Sequence, residues 1–198
     1  MAFSLVKSYV LPPINRREVF RYAGIRSLSG ESDELISRLD EAIFLIEGTL
    51  NPRVCFCELA IRDCDFGSSL DIKKNLRNSH SVIFFASTLG IELDRLILKY
   101  SVLSPTIALL LEALGNERIE ALCDSFCEDM RKTKLESGET LRPRFSAGYG
   151  DLPLEYQQKI FDLLNPSFHI GLTLNESYLM SPSKSVTALI GVEKIEEL

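Results

Sequence analysis

From Ser104 the chain reads Ser-Pro and then continues to Glu136 with one glycine, Gly115, and no further proline before Gly138 closes the run. A serine cap with proline at the first helical position is a strong start, because proline has no N–H to leave unpaired there and its φ is already helical. The spacing predicts one long helix from Pro105 to about Glu136, with Gly115 as its weak point. Around it the pattern alternates. Residues 54–61 (VCFCELAI) and 81–88 (SVIFFAST) are short, β-branched and aromatic, which predicts two strands with a helix near Leu70 to Leu76 between them.

The remaining signals are local. Asn15 followed three residues later by Glu18 is a capping-box pattern for a short helix through Ala23, with Gly24 as a left-handed stop. A second helix is predicted from Ser32, with Asp33 and Glu34 in its first turn, Leu35, Leu39, Ile43 and Ile46 on one face, and Asn51-Pro52 closing it. Further helices are expected from Gly90 to about Tyr100 and from Pro153 to Leu164. Strands are expected around Leu141 to Phe145, near His169 to Leu174 and over Ser185 to Val192. The last strands lie too close for helical crossovers, so the fold class is α+β: a single domain over residues 1–198, a mainly antiparallel sheet with flanking helices.

Composition narrows the partners. With 22 Lys+Arg against 28 Asp+Glu the formal net charge is −6, which disfavours a nucleic-acid partner. Apolar residues at 45% and charged residues at 25% are globular usage, and a chain of this size buries about 70% of its unfolded surface. No apolar stretch approaches the roughly 18 to 20 residues of a membrane span, and no signal-like segment opens the chain, so a cytoplasmic protein with no membrane partner is expected. The five cysteines, Cys55, Cys57, Cys64, Cys123 and Cys127, are odd in number and read as thiols in a reducing compartment.

Catalytic and metal motifs are sparse. Cys55 and Cys57 share a strand face and Cys123 and Cys127 a helix face, but neither pair has common metal spacing, and the two histidines, His80 and His169, have no helical partner. No catalytic and no metal residues are assigned. Ser181-Pro-Ser-Lys184 matches S-x-x-K without its companion motifs. The unusual stretch is Arg142 to Pro153, R-P-R-F-S-A-G-Y-G-D-L-P, with an acid, Asp151, placed to cap the following helix. Here Ser146, Ala147, Gly148 and Gly150 would let a ligand approach the backbone, Arg144 could grip a carboxylate with its planar fork, and Tyr149 could pack a ring or attract a cation. A tight strand-to-helix connection with solvated arginines accounts for the same composition equally well.

Arg144 to Tyr149 (R-x-x-x-G-Y), the helix after Pro153, and Ile170 to Val186 (IGLTLNESYLMSPSKSV) together resemble the activation domain of cobalamin-dependent methionine synthase, most closely its small stand-alone proteins. The resemblance is densest over residues 140–192, and EVFRYAG from Glu18, Thr88-Leu89-Gly90 and ERIEAL from Glu117 follow in the same order. It implies a domain that binds S-adenosylmethionine and supports reductive remethylation of cobalamin held by a separate methionine synthase or corrinoid-binding protein, with a flavodoxin-like reductase as electron source. It also implies that Arg144 holds the methionyl carboxylate, that Tyr149 is the motif tyrosine, and that Glu120 meets the ligand's amino group. Asn15 stands where the family has a ligand-binding aspartate, and the chain ends soon after Val192, where the full-length synthases continue into a strand that helps cover the ligand. Two functions are therefore expected to compete: a reactivation module of a methyltransferase system, and a non-catalytic interaction protein that keeps the fold without the ligand. A thiol or metal protein ranks below both.

Overall fold

A computed structural model describes residues 4–25 and 33–195. In chain order they form β1 (Leu5–Ser8), α1 (Arg16–Tyr22), α2 (Asp33–Ile46), β2 (Arg53–Ala60), α3 (Leu70–Asn75), β3 (Ser81–Thr88), α4 (Glu92–Leu103), α5 (Pro105–Leu135), β4 (Glu139–Leu141), α6 (Tyr156–Leu164), α7 (Pro166–Ile170), β5 (Thr173–Leu174), β6 (Met180–Ser181) and β7 (Ser185–Lys194). The α+β class holds: β1-β2-β3-β7-β4 make one sheet with every pairing antiparallel, and β5 and β6 form a separate two-stranded ribbon.

Both faces of the sheet are covered. Val54, Phe56, Ile83, Phe85, Ala188 and Ile190 pack with α1, α2, α4 and α5, while Cys55, Cys57, Val82, Phe84, Ala86 and Leu189 pack with α3, α6 and α7. Double coverage explains why Val54 to Cys57 and Val82 to Ala86 are unbroken buried apolar runs instead of alternating, since a half-exposed strand would need a polar side. β3 is buried at every residue. The 31-residue α5 lies along the first face, with Phe126 against Phe85 (ring centroids 4.8 Å), Phe56 (5.2 Å) and Tyr9 (6.4 Å, edge-on).

Gly115 does not weaken α5, which runs through it unbroken. A Cβ there would lie 2.8 Å from Lys184 Cε and 3.0 Å from Leu93 Cδ2, so the glycine makes room for a lysine stem crossing the helix. Several boundaries differ from expectation; α6 starts at Tyr156 and not at Pro153, and α4 runs on past Tyr100 to Leu103. Residue 61 leaves the strand for a single 3₁₀ turn, Ile61–Asp63. The strand expected over Leu141 to Phe145 stops at Leu141, because Pro143 has no N–H to give the ladder, and resumes only as one bridge, Phe145 to Leu189. Of the strand expected near His169 to Leu174, only Thr173–Leu174 is strand, while His169 and Ile170 belong to α7: Asn165 adopts φ 46° and ends α6, and Pro166 at the first helical position starts α7. Ser32 lies outside the described residues, whereas Gly24 stands left-handed at φ 76°.

All five cysteines are free. Burial pushes the Cys55 and Cys123 thiols up to about 12 and those of Cys57 and Cys64 to about 11. Because the folded values lie above the ordinary thiol value near 8.5, their contribution to stability is complete below about pH 8.5 and is lost as pH rises toward the folded values. Urea midpoints measured from pH 7 to 11 are expected to fall on the alkaline side, and a Cys55→Ala, Cys57→Ala variant to show a shallower fall. Parallel slopes for the two proteins would exclude the buried thiols as the cause.

Candidate functional site

The site sits where the sheet is incomplete. β4 covers only the C-terminal end of β7, pairing Leu141 with Val192, Thr140 with Glu193 and Glu139 with Lys194. Arg142 N–H still donates to the Gly191 carbonyl at 2.8 Å, and past Pro143 the chain meets β7 again, Phe145 N–H and Leu189 N–H each donating to the other's carbonyl at 2.8 and 2.9 Å, before it leaves. Among the described residues, 185–188 have no strand partner on that side. Since N–H and C=O of Leu189 point to Phe145, the two-residue alternation of a strand points those of Thr187 into the same gap.

A cavity of about 410 Å³ occupies the gap, lined by Glu120 from α5, Arg144, Phe145, Ser146, Ala147 and Tyr149 from the loop after β4, Gln157 from α6, Met180, and Ser185 to Thr187. A neighbouring hollow of about 370 Å³ is lined by Asn15, Glu18, Tyr22, Glu117, Glu120, Ala121 and Asp124, so the two meet at Glu120. Arg144, Ala147, Tyr149 and Glu120, singled out from sequence, thus line one cavity, and Asn15 joins Glu120 in the next. Gly148 lines neither; its φ of 85°, with 54° at Gly150, shapes the turn that swings Tyr149 to the rim, where the residue is 70% exposed.

Arg144 and Glu120 face each other. Nη2 of Arg144 donates to Glu120 Oε2, and Nη1 lies 3.3 Å from Asp124 Oδ1, one turn further along α5. That second contact lacks hydrogen-bond geometry, so Nη1 is a buried donor without a hydrogen-bond partner. Partial burial works against the guanidinium's charge, but the Cys123 sulfur, Glu120 and Asp124 together outweigh it and raise its pKa. Neither loop arginine is simply solvated. Arg142 donates from Nε to the Asn75 carbonyl at 2.9 Å, lies 3.4 Å from Glu193, and takes no part in the cavity.

The loop is fastened from outside. Asp151 does not cap the helix that follows it, whose N-cap has no side-chain bond. Its carboxylate reaches instead across to α3, accepting from the Ser69 hydroxyl, Leu70 N–H (2.7 Å) and Asp71 N–H (3.2 Å), while Asp151 N–H donates to Asp71 (3.2 Å). The N-terminal side is held similarly. Asn15 caps α1 by accepting from Glu18 N–H at 3.4 Å, but the reciprocal half of the predicted capping box is supplied by Glu117, which accepts from Asn15 N–H at 3.0 Å; Glu18 pairs with Arg21. In the S-x-x-K segment, Lys184 is tied to Glu112 and Asn116 of α5. Among the described residues no group of three or more His, Cys, Asp or Glu is placed to hold a metal.

Sequence reasoning missed Asp124, Thr187, Met180 and Gln157. For Gln157 a signal existed: Tyr156, Ile160, Phe161 and Leu164 mark the buried side of α6, and a glutamine within that stripe is out of place.

An antiparallel α+β domain with a charged cavity beside its last strand is the class these features define. The model of the vitamin B12 dependent methionine synthase activation domain matches residues 71–195, and the chain belongs to that family. Its fold matches the crystal structure of the MetH reactivation domain bound to AdoHcy with a TM-score of 0.71 at 16% identity, over 100% of this chain and 80% of that one. No curated protein matches the chain. No helix among the described residues is long and apolar enough to cross a membrane.

The bonds from the Ser69 hydroxyl and from the Leu70 and Asp71 N–H groups hold the Asp151 carboxyl below the ordinary carboxylate range. A folded value below the unfolded one near 3.9 stabilises above that pH and is lost as pH falls through the lowered value. Asp151→Asn is expected to lower the urea midpoint at pH 7 and to flatten its fall between pH 5 and 2.5. Identical acid profiles would show that the clasp does not fasten the loop.

Proposed function

We propose that the chain binds S-adenosylmethionine in the cavity beside β7 and presents it to cobalamin carried by a separate methionine synthase or corrinoid protein, with an electron supplied by a flavodoxin-like reductase. One observation carries this reading: Arg144, whose Nη1 has no hydrogen-bond partner among the described residues, lines a cavity that also holds a carboxylate. A methionyl group is a zwitterion and needs both. The two N–H groups of Arg144 suit its carboxylate, and Glu120, with Asp124 one turn away, suits its ammonium group. The backbone at Ala147 lines the approach, and the exposed ring of Tyr149 can close over a sulfonium. Asn15 offers a neutral amide where the family has an acid, and Asp124 supplies negative charge close by. Family membership supports the reading, as does the matched fold of a domain solved with AdoHcy. The methyl acceptor is the partner's cobalamin; this chain's own residues bind and orient the methyl donor.

A second reading has its own observation. Arg144 and Glu120 already satisfy each other in large part, as a domain that keeps the fold for docking alone would have them.

Calorimetry separates the two. The unsubstituted protein is expected to bind S-adenosylmethionine, and Arg144→Ala to weaken it by about 10- to 150-fold, the worth of a charge-assisted bidentate contact. Arg144→Lys should restore only part, since it lacks the planar fork. Arg142→Ala should lower the melting temperature and leave affinity nearly unchanged. Glu120→Gln is expected to weaken binding and Asn15→Asp to strengthen it. No binding by the unsubstituted protein, or equal small effects at Arg142 and Arg144, would establish the docking-only reading.

A further inference from the structure

Gln157 is 6% exposed and lines the cavity, yet its Oε1 is buried with no hydrogen-bond partner among the described residues. Buried amides are normally paired, and an orphaned one marks a group waiting for something. Rotating the amide by 180° exchanges its oxygen and nitrogen but leaves the same donor and acceptor side by side. Of the other polar groups on the same lining, the Ser185 hydroxyl is engaged with Thr88 Oγ1 (2.9 Å) and the Pro182 carbonyl (2.8 Å), and the Arg144 guanidinium is turned to Glu120 and Asp124 on α5. Gln157 also comes from the opposite side of the site. α5, which carries Glu120, packs on one face of the sheet, and α6, which carries Gln157, packs on the other.

We infer that Gln157 is the specificity-determining residue for the nucleobase, its amide oxygen accepting from the 6-amino group of adenine and its amide nitrogen donating to N7, an edge that in hypoxanthine shows two acceptors and fits neither orientation of the amide. The inference rests on the proposed binding of S-adenosylmethionine and adds to it. The charged residues of the cavity suit the zwitterion, and a neutral carboxamide is left for a neutral edge that shows one donor beside one acceptor, which is how glutamine reads adenine elsewhere. A site built around such a pair rejects an analogue that lacks it, because its own buried group is then left unpaired.

The test uses two ligands, S-adenosylhomocysteine and S-inosylhomocysteine, in which a carbonyl replaces the 6-amino donor. The unsubstituted protein is expected to prefer the adenosyl ligand by about 10-fold or more. Gln157→Leu should weaken the adenosyl ligand by a similar factor, bring the preference close to one, and melt at or above the temperature of the unsubstituted protein, since it removes an unpaired buried amide. A merely structural glutamine would lose stability when replaced and leave the preference intact. Equal affinity of the unsubstituted protein for the two ligands overturns the inference alone, whether or not the leucine variant folds. Adenosyl affinity unchanged within 2-fold in Gln157→Leu does the same. Failure of the unsubstituted protein to bind S-adenosylhomocysteine overturns the proposed function and this inference with it.

Discussion

Two adjacent opposite charges, Glu117 and Arg118, are buried in the middle of α5 at 6% and 4% exposure. They bond each other, and what remains of their capacity is used on the chain's N-terminal segment: Arg118 donates to the carbonyls of Pro12 (2.6 Å) and Pro13 (3.3 Å), and Glu117 accepts from Asn15 N–H. Burying an ion pair gains little against an apolar pair of the same shape, but removing one member strands the other at a cost of about 3–5 kcal/mol. The pair therefore acts as a clamp more than as a source of stability. It fixes where α1 starts, and so where Asn15, Glu18 and Tyr22 stand relative to Glu120.

The site inherits its geometry from that clamp and from the Asp151 bonds to α3. α5 brings Glu120 and Asp124 to one wall, held by its aromatic contacts through Phe126. The loop after β4 brings Arg144, Ala147 and Tyr149 to the other, held by a carboxylate that spans 80 residues of sequence to reach Asp71. These braces lie outside the cavity lining, within which Arg144 and Glu120 bond each other across the two walls. The lining is left with partly unmet hydrogen bonds, as a site that must exchange internal partners for a ligand requires.

Much of this was legible in the sequence. Ser104-Pro105, the capped start at Asn15 and the two apolar strand segments depend on neighbours along the chain, and each appears close to where local chemistry put it. The strand expected near His169 to Leu174 was placed too early, its first residues being helix, because apolar, β-branched composition there outweighed the Asn165-Pro166 boundary that governs the backbone. Gly115 was misread for a different reason: its neighbour Lys184 is 69 residues away, and no local rule reports a side chain arriving from another element. The site divides along the same line. Arg144, Tyr149 and Glu120 carry their chemistry in their residue types and in the family motif, whereas the Arg144–Glu120 pairing, the direction of Asp151 and the unpaired amide of Gln157 are products of tertiary placement.

The half-covered β7 has a consequence for the protein as a solute. A strand edge with free N–H and C=O groups is a template for another chain, and proteins commonly shield such edges with a loop or a charge. Here the loop carrying Arg144 and Tyr149 overhangs the open residues, and Ser185 and Thr187 are only 8% and 3% exposed. The loop that forms the pocket wall is thus also the guard over the sheet. Damage that swings it away uncovers a sticky margin, so loss of the pocket and self-association through the sheet would arrive together.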